Sequence, residues 1–505
     1  MEVDGALSRR ALLKGAGLAF LAGGVAACSA GTPAVTEVSA VTRPLPIPPI
    51  LAPSTRRKTK TFRLTAQAGT SEILAGARTA TWGYNGSQLG PTIRVARGDD
   101  VRIKVVNGLR ESTTVHWHGL HTPPEMDGGP DQPIAPGRGW EARFRVRQQA
   151  ATLWYHPNAR GSMTRQIHRG LAGMLIVDDA ASARLDLPKE YGVDDVPLIL
   201  QDKLFTADHS LDEKIDPDVG IVGETVTVNG IASPTFTART RRVRFRIVDA
   251  ATARVVNLAF SDDRRFTIIA SDGGLLDEPQ TVSSMLLSPG ERAEIVVDLI
   301  PGETLTLRTV PFAASIGLGD DAPDIGQLDE LDLMTIVGPP PTTSTAPALP
   351  SALNPTVRTS PSVGMAKRRF VDLQWFQING QIADPHRTDA VVAVGAYERW
   401  TVRNRDSRVE NLHIHGTQFR VLSAGGTASR VQTSGWKDTV LVPPGARMDL
   451  AVRFIDYTST RVPYVFGSQL ALNNDQGMEG RLLVVRPGST VADARGRRPK
   501  RPKPR

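Results

Sequence analysis

The chain has 505 residues, 60 Lys/Arg against 52 Asp/Glu, and one cysteine, Cys28. It is long enough for two to four domains, and its folded body has no thiolate to offer a metal. The formal charge of +8 sits in the tails, with seven Lys/Arg against Asp493 over 488–505 and five against Glu37 over 31–60. A nucleic-acid partner needs a basic face on a folded domain, and the near-neutral body presents none, so no nucleic acid is expected.

In chain order, Ser8-Arg9-Arg10-Ala11-Leu12-Leu13-Lys14 and the apolar run that follows it, residues 15–27, read as a twin-arginine export signal. The run is too short for a membrane span of ~20 residues. Val25-Ala26-Ala27-Cys28 has the form of a bacterial lipobox. The expectation is a 1–30 signal and lipobox segment, lipidation of Cys28, and a lipid-anchored body beyond the cytoplasmic membrane, in the periplasm or cell wall. The bland alternative is a chance Cys in a signal cut near Ala30. Residues 31–54, rich in Pro, Ser, Thr and Arg, predict a disordered tether.

Three echoes of one pattern follow. Each opens on Asn-Gly (Asn85-Gly86, Asn229-Gly230, Asn379-Gly380), runs through an alternating strand, and closes on Pro-Gly (Pro136-Gly137, Pro289-Gly290, Pro444-Gly445). A period near 150 residues is a domain, not a solenoid unit. The expected fold is all-β, with three tandem β-sandwiches over 55–182, 190–338 and 365–487. The Pro/Ser/Thr stretch 339–364 reads as a linker that cannot bury a core, and 488–505 as a basic disordered tail.

Five of nine histidines lie in His116-Trp117-His118-Gly119, Trp154-Tyr155-His156 and His413-Ile414-His415-Gly416. Side chains at i and i+2 on a strand point to one face, so two such pairs and a fifth His describe a metal cage. Imidazole suits copper, zinc and iron. His121, His168, His209 and His386 read as lone histidines of loops or turns.

These repeats and motifs over residues 60–487 resemble the three-domain multicopper oxidases. The resemblance implies cupredoxin-like Greek-key domains, a trinuclear copper cluster between the first and third, and a type 1 copper in the third. Carried over, His116 and His413 fall on type 2 positions, and His118, His156 and His415 on type 3 positions. Asn158, Gly467 and Gln469 stand where type 3 histidines belong. Glu410, Ser468 and Asn473 stand where the type 1 His, Cys and His belong, and only the axial Met478 remains. Glu410 is expected to be a surface charge, Met478 a packing residue, and Trp117 and Trp154 core aromatics.

A serine hydroxyl is a poor soft ligand and is not deprotonated near neutral pH, so no blue-copper site and no four-electron turnover are expected. The segments Ala151-Thr152-Leu153-Trp154-Tyr155-His156, Tyr191-Gly192-Val193-Asp194-Asp195-Val196-Pro197 and Gly435-Trp436-Lys437-Asp438-Thr439-Val440 are similar to the family's exported cell-division branch, which keeps the fold without the copper sites. That similarity implies envelope or cell-division proteins as partners and a non-enzymatic role. Two alternatives are an oxidoreductase with one type-2-like copper held by His116 and His413, and a copper or zinc protein without turnover.

Overall fold

Alternation builds the first long strand, Thr59–Ser71. Phe62, Leu64 and Ala66 turn inward while Arg63 is exposed. Val101, Ile103 and Val105 do the same in Asp100–Asn107, which pairs parallel to it from Thr59↔Asp100 to Ala66↔Asn107. The computed structural model describes residues 42–358, 367–425 and 433–489. The export signal, Cys28, the first part of the tether, the end of the linker and the tail from 490 lie outside the described residues.

The strands form three pairs of sheets along the chain, each pair closing on its own apolar core. In the first sandwich a sheet ordered Ser54–Arg56, Thr59–Ser71, Asp100–Asn107, Gly139–Arg145 packs on one ordered Ile93–Ala96, Gly173–Asp178, Ala151–His156, His116–His118. The second joins a seven-stranded to a five-stranded sheet, and the third two five-stranded sheets. The all-β expectation is met.

The repeat is visible atom by atom. Asn85 Oδ1 accepts from Thr65 N at 2.7 Å while its Nδ2 donates to Arg63 O at 2.8 Å. Asn229 does this to Ile199 N and Pro197 O, both at 2.8 Å, and Asn379 to Asp372 N at 2.8 Å and Phe370 O at 3.2 Å. All three have positive φ (58°, 51° and 53°), a conformation Asn tolerates better than most residues. In every sandwich the clamped strand then pairs parallel with a later strand beyond the Asn-Gly turn: Asp100–Asn107, Arg242–Asp249 and Glu398–Asn404 respectively.

Two expectations are corrected. The described part of the tether, 42–54, is bound rather than disordered. Leu45 N donates to Thr235 O and Leu51 N to Thr92 O, both at 2.8 Å, and Leu45 enters the second sandwich's core. The linker also buries side chains: Leu353 and Val357 are covered, and Leu353 N donates to Asp277 O at 2.9 Å. A few well-placed apolar residues are enough to dock a Pro-rich segment, whose unfolded state has less entropy to lose.

Candidate metal centre

His116 and His118 occupy an edge strand of three residues that pairs with Ala151–His156 in the register His116↔His156 and His118↔Trp154. His413 lies on Glu410–Ile414, opposite Thr439 on one side and Gly467 on the other. All five expected histidines come together, and none is more than 2% exposed. The rings interleave between sandwiches: His415 stacks on His116 at 3.8 Å between centroids, His413 on His118 at 3.7 Å, and Trp154 covers His156 at 3.9 Å. They form three sets of ligand atoms, each within 4.8 Å: His116/His118/His156, His116/His413/His415 and His118/His413/Asp438.

Each ring has one nitrogen committed to an acceptor. His116 Nδ1 meets Asp127 O at 3.0 Å, His415 Nδ1 meets Asp127 Oδ2 at 2.7 Å, His413 Nδ1 meets Asp438 O at 2.9 Å, and His156 Nδ1 meets Pro157 O at 2.8 Å. His118 uses the other nitrogen, with Nε2 at 3.2 Å from Asp438 Oδ1. These acceptors assign the protons, so in the neutral rings the remaining nitrogens carry lone pairs. Those nitrogens face one another: His116 Nε2 and His413 Nε2 at 3.4 Å, His118 Nδ1 and His156 Nε2 at 3.2 Å. Facing lone pairs repel unless a proton or a cation lies between them.

Protonation is opposed. Burial, reinforced by His413 for His118 and by His116 for His156, holds both far below the usual histidine range. Burial also lowers His413, and brings His415 down to about 3 with help from His116. Neutral imidazoles fixed by carbonyl and carboxylate partners are the donor set that copper or zinc takes, and the residues fit such an ion.

Sequence reasoning missed the supports. Asp127 follows a 3₁₀ turn, Pro124–Met126, and holds two histidines. Burial alone would raise it, but His415 and His116 keep its carboxyl well below the usual range. Asp438 touches His118 and is gripped by Arg292 of the second sandwich, at 2.7 and 2.6 Å. Lys437 is tied at 3.0 Å to both Asp272 and Glu291. The motif glycine Gly119 has φ 84°, and a Cβ there would lie 2.6 Å from both Arg292 Nη2 and Asp438 Oδ2. Spacing carries no signal for Arg292, because it arrives from another domain.

The expected gaps in the ligand set are filled by other chemistry. Glu410 is not a surface charge: it is buried, accepts from Asn473 Nδ2 at 2.8 Å, and burial pushes its carboxyl up to about 8. A charged-looking residue on a strand buried from both faces loses its water whatever its type. Ser468 Oγ donates to Asn411 Oδ1 at 3.3 Å, and Met478 is fully buried in the third core. Glu410 and Asn473 bond to each other, Ser468 bonds to Asn411, and the Met478 thioether is the one soft donor left, so without a thiolate these residues do not fit a type 1 copper. Gly467 leaves no room for a side chain, since a Cβ would sit 2.6 Å from Met478 O. Asn158's amide and Gln469 Oε1 are buried without a partner among the described residues. Of the other histidines, His168 ends the helix Met163–His168 rather than lying in a loop, and His121 is buried with Nδ1 2.6 Å from Asp456 Oδ2.

Family profiles described as multicopper oxidase match residues 65–182, 194–304 and 347–488. The chain belongs to the multicopper oxidase family. Among its relatives, "Cell division protein FtsP" of Escherichia coli (strain K12) is 34% identical over 481 residues, 95% of this chain and 99% of that protein. "Multicopper oxidase mco" of Staphylococcus aureus is also 34% identical, over 85% of this chain and 89% of that one. Among solved structures, the laccase-like multicopper oxidase CueO from Ochrobactrum sp. superimposes with a TM-score of 0.78 at 33% identity, covering 88% of this chain and all of that one. A multicopper oxidase from Pediococcus acidilactici gives 0.79 at 31%, over 88% and 92%.

Proposed function

We propose that this protein is an exported, oxidase-derived scaffold that acts by binding envelope or cell-division proteins and does not turn over as a four-electron oxidase. Overall identity separates the cell-division and oxidase relatives by little, at 34–36% and 34%. The ligand positions choose between them. The observation that carries the reading is the replaced type 1 centre, where Ser468 and the hydrogen-bonded pair Glu410–Asn473 stand in place of a thiolate and two imidazoles. The oxidoreductase alternative also needs substrate access, and His116 and His413 are both sealed from solvent.

The histidine cluster is read as a retained metal site without turnover, with His116, His413 and His415 on one side and His118 and His156 on the other. Copper is the first candidate and zinc the second. A bound ion would cross-link the first and third sandwiches and, if copper, supply a redox-active centre. Anchoring through lipidated Cys28 and twin-arginine export complete the reading, with domain boundaries at 55–182, 190–338 and 365–487.

The test is capture from envelope fractions by the lipidated protein, followed by cross-linking. Enrichment of division proteins, unchanged in the double variant His413→Ala/His415→Ala, supports a binding role. Absence of any enriched envelope protein contradicts it.

A further inference from the structure

A cavity of about 250 Å³ lies where the first and third sandwiches meet, apart from the histidine cluster. Its wall carries Arg97, Arg147 and Arg453 and, among the described residues, no Asp or Glu. None of the three forms an ion pair with a described residue. The Arg453 guanidinium lies 4.8 Å from the Tyr397 ring and its Nε donates to Gly395 O at 2.8 Å. Arg147 lies 4.7 Å from the Tyr457 ring, and its Nη1 donates to Asp456 O at 3.2 Å. Asp456's own carboxylate is taken by His121. Three exposed arginines on one wall without a carboxylate leave their positive charge unmatched, and an anion able to accept from a guanidinium is what matches it.

Two buried wall residues narrow the ligand further. His121 and Gln418 are 4% and 8% exposed, and each keeps a nitrogen, Nε2 in both, without a partner among the described residues. His121 Nδ1 is engaged by Asp456, which leaves its Nε2 to accept from or donate to a hydroxyl according to the ring's charge, whereas the Gln418 amide nitrogen is a donor. Hydroxyl groups serve both kinds of partner. Trp436 and Tyr397 add flat apolar faces on which a ring can pack. The volume falls just below the range of about 300–1,000 Å³ typical of drug-sized ligands, which sets the size at a single sugar ring.

We propose that this cavity binds a hydroxylated ring carrying one anionic group, of the class of a sugar acid or sugar phosphate. The arginines take the carboxylate or phosphate, His121 and Gln418 take hydroxyl groups, and Trp436 and Tyr397 flank the ring. The proposal does not depend on metal in the histidine cluster or on the identity of a protein partner.

The test is titration calorimetry on the full exported protein at 150 mM salt, with glucuronate, glucose 6-phosphate, glucose and inorganic phosphate as probes. At least one of the two charged sugars binds, and the stronger of the two names the anionic group. Glucose and inorganic phosphate each bind at least tenfold more weakly than it does. Arg147→Ala with Arg453→Ala lowers that affinity at least tenfold at an unchanged melting temperature. If the double variant melts early, Arg97→Ala, at an exposed position, decides by the same loss. Failure of both charged sugars to bind overturns the proposal. So does equal binding of glucose or of phosphate alone, or an affinity that survives removal of the arginines.

Discussion

Glu410 is a buried carboxyl at a position where the family resemblance places a metal-binding histidine. Its carboxyl, at about 8 in the folded protein and near 4.5 when unfolded, is raised by burial. Its stabilising contribution is therefore complete below pH 4.5 and lost as pH rises through 8. Glu410→Gln keeps the bond to Asn473 in a group that cannot ionise. We expect it to raise the melting temperature at pH 8.5 and leave it unchanged at pH 4.5, measured by calorimetry. The histidines act in the opposite direction. His415 stays neutral down to about pH 3 while its unfolded counterpart protonates near 6.5, so stability falls as pH drops from 6.5 toward 3. His415→Gln is expected to flatten that part of the stability–pH curve.

The five histidines were legible in the sequence because spacing at i, i+2 on strands fixes their common face. Glu410 was not, since its charge suggests solvent and only the packing over both faces of its strand buries it. Asp127 and Asp438 were equally silent: they act from loops whose positions depend on distant partners.

Among the elements, the hairpin joining Lys367–Gln374 to Gln377–Ile378 turns on Trp375 and Phe376, both at positive φ (50° and 59°). Bulky residues are strained there, where Asn-Gly is the relaxed choice. Trp375→Asn with Phe376→Gly is expected to stabilise the protein by about 1–2 kcal/mol, read from the denaturant midpoint at unchanged slope. The strand Tyr464–Gly467 makes the converse point. Restoring a histidine by Gly467→His drives a Cβ into Met478 O, so the variant is expected to lose stability rather than regain a ligand. The strands themselves, with alternation such as Phe62, Leu64 and Ala66, were readable from the sequence. The docked segments around Leu45 and Leu353 were not, because composition records how much a segment can bury but not where it finds a groove.

Across the whole molecule, the second sandwich holds the other two together through Arg292. Its guanidinium grips Asp438 of the third sandwich and donates from Nε to Thr152 O of the first at 3.2 Å. Breaking one side of a buried pair costs about 3–5 kcal/mol, so Arg292→Met is expected to destabilise by that amount. It should also weaken metal retention, because Asp438 orients His118 and His413. Metal works toward the same end: at a hundredfold excess over its dissociation constant it would add about 2.7 kcal/mol to the folded state.

The proposed function pairs five buried imidazoles with neighbouring positions, Ser468, Glu410 and Asn473, that do not fit a type 1 copper. The most direct test loads the exported protein with copper and follows oxygen uptake with phenolic and cuprous substrates. We predict copper retained by the cluster, lost in His413→Ala with His415→Ala, and no oxygen uptake above that of free copper. Uptake well above free copper that disappears in the same double variant would contradict the proposed function.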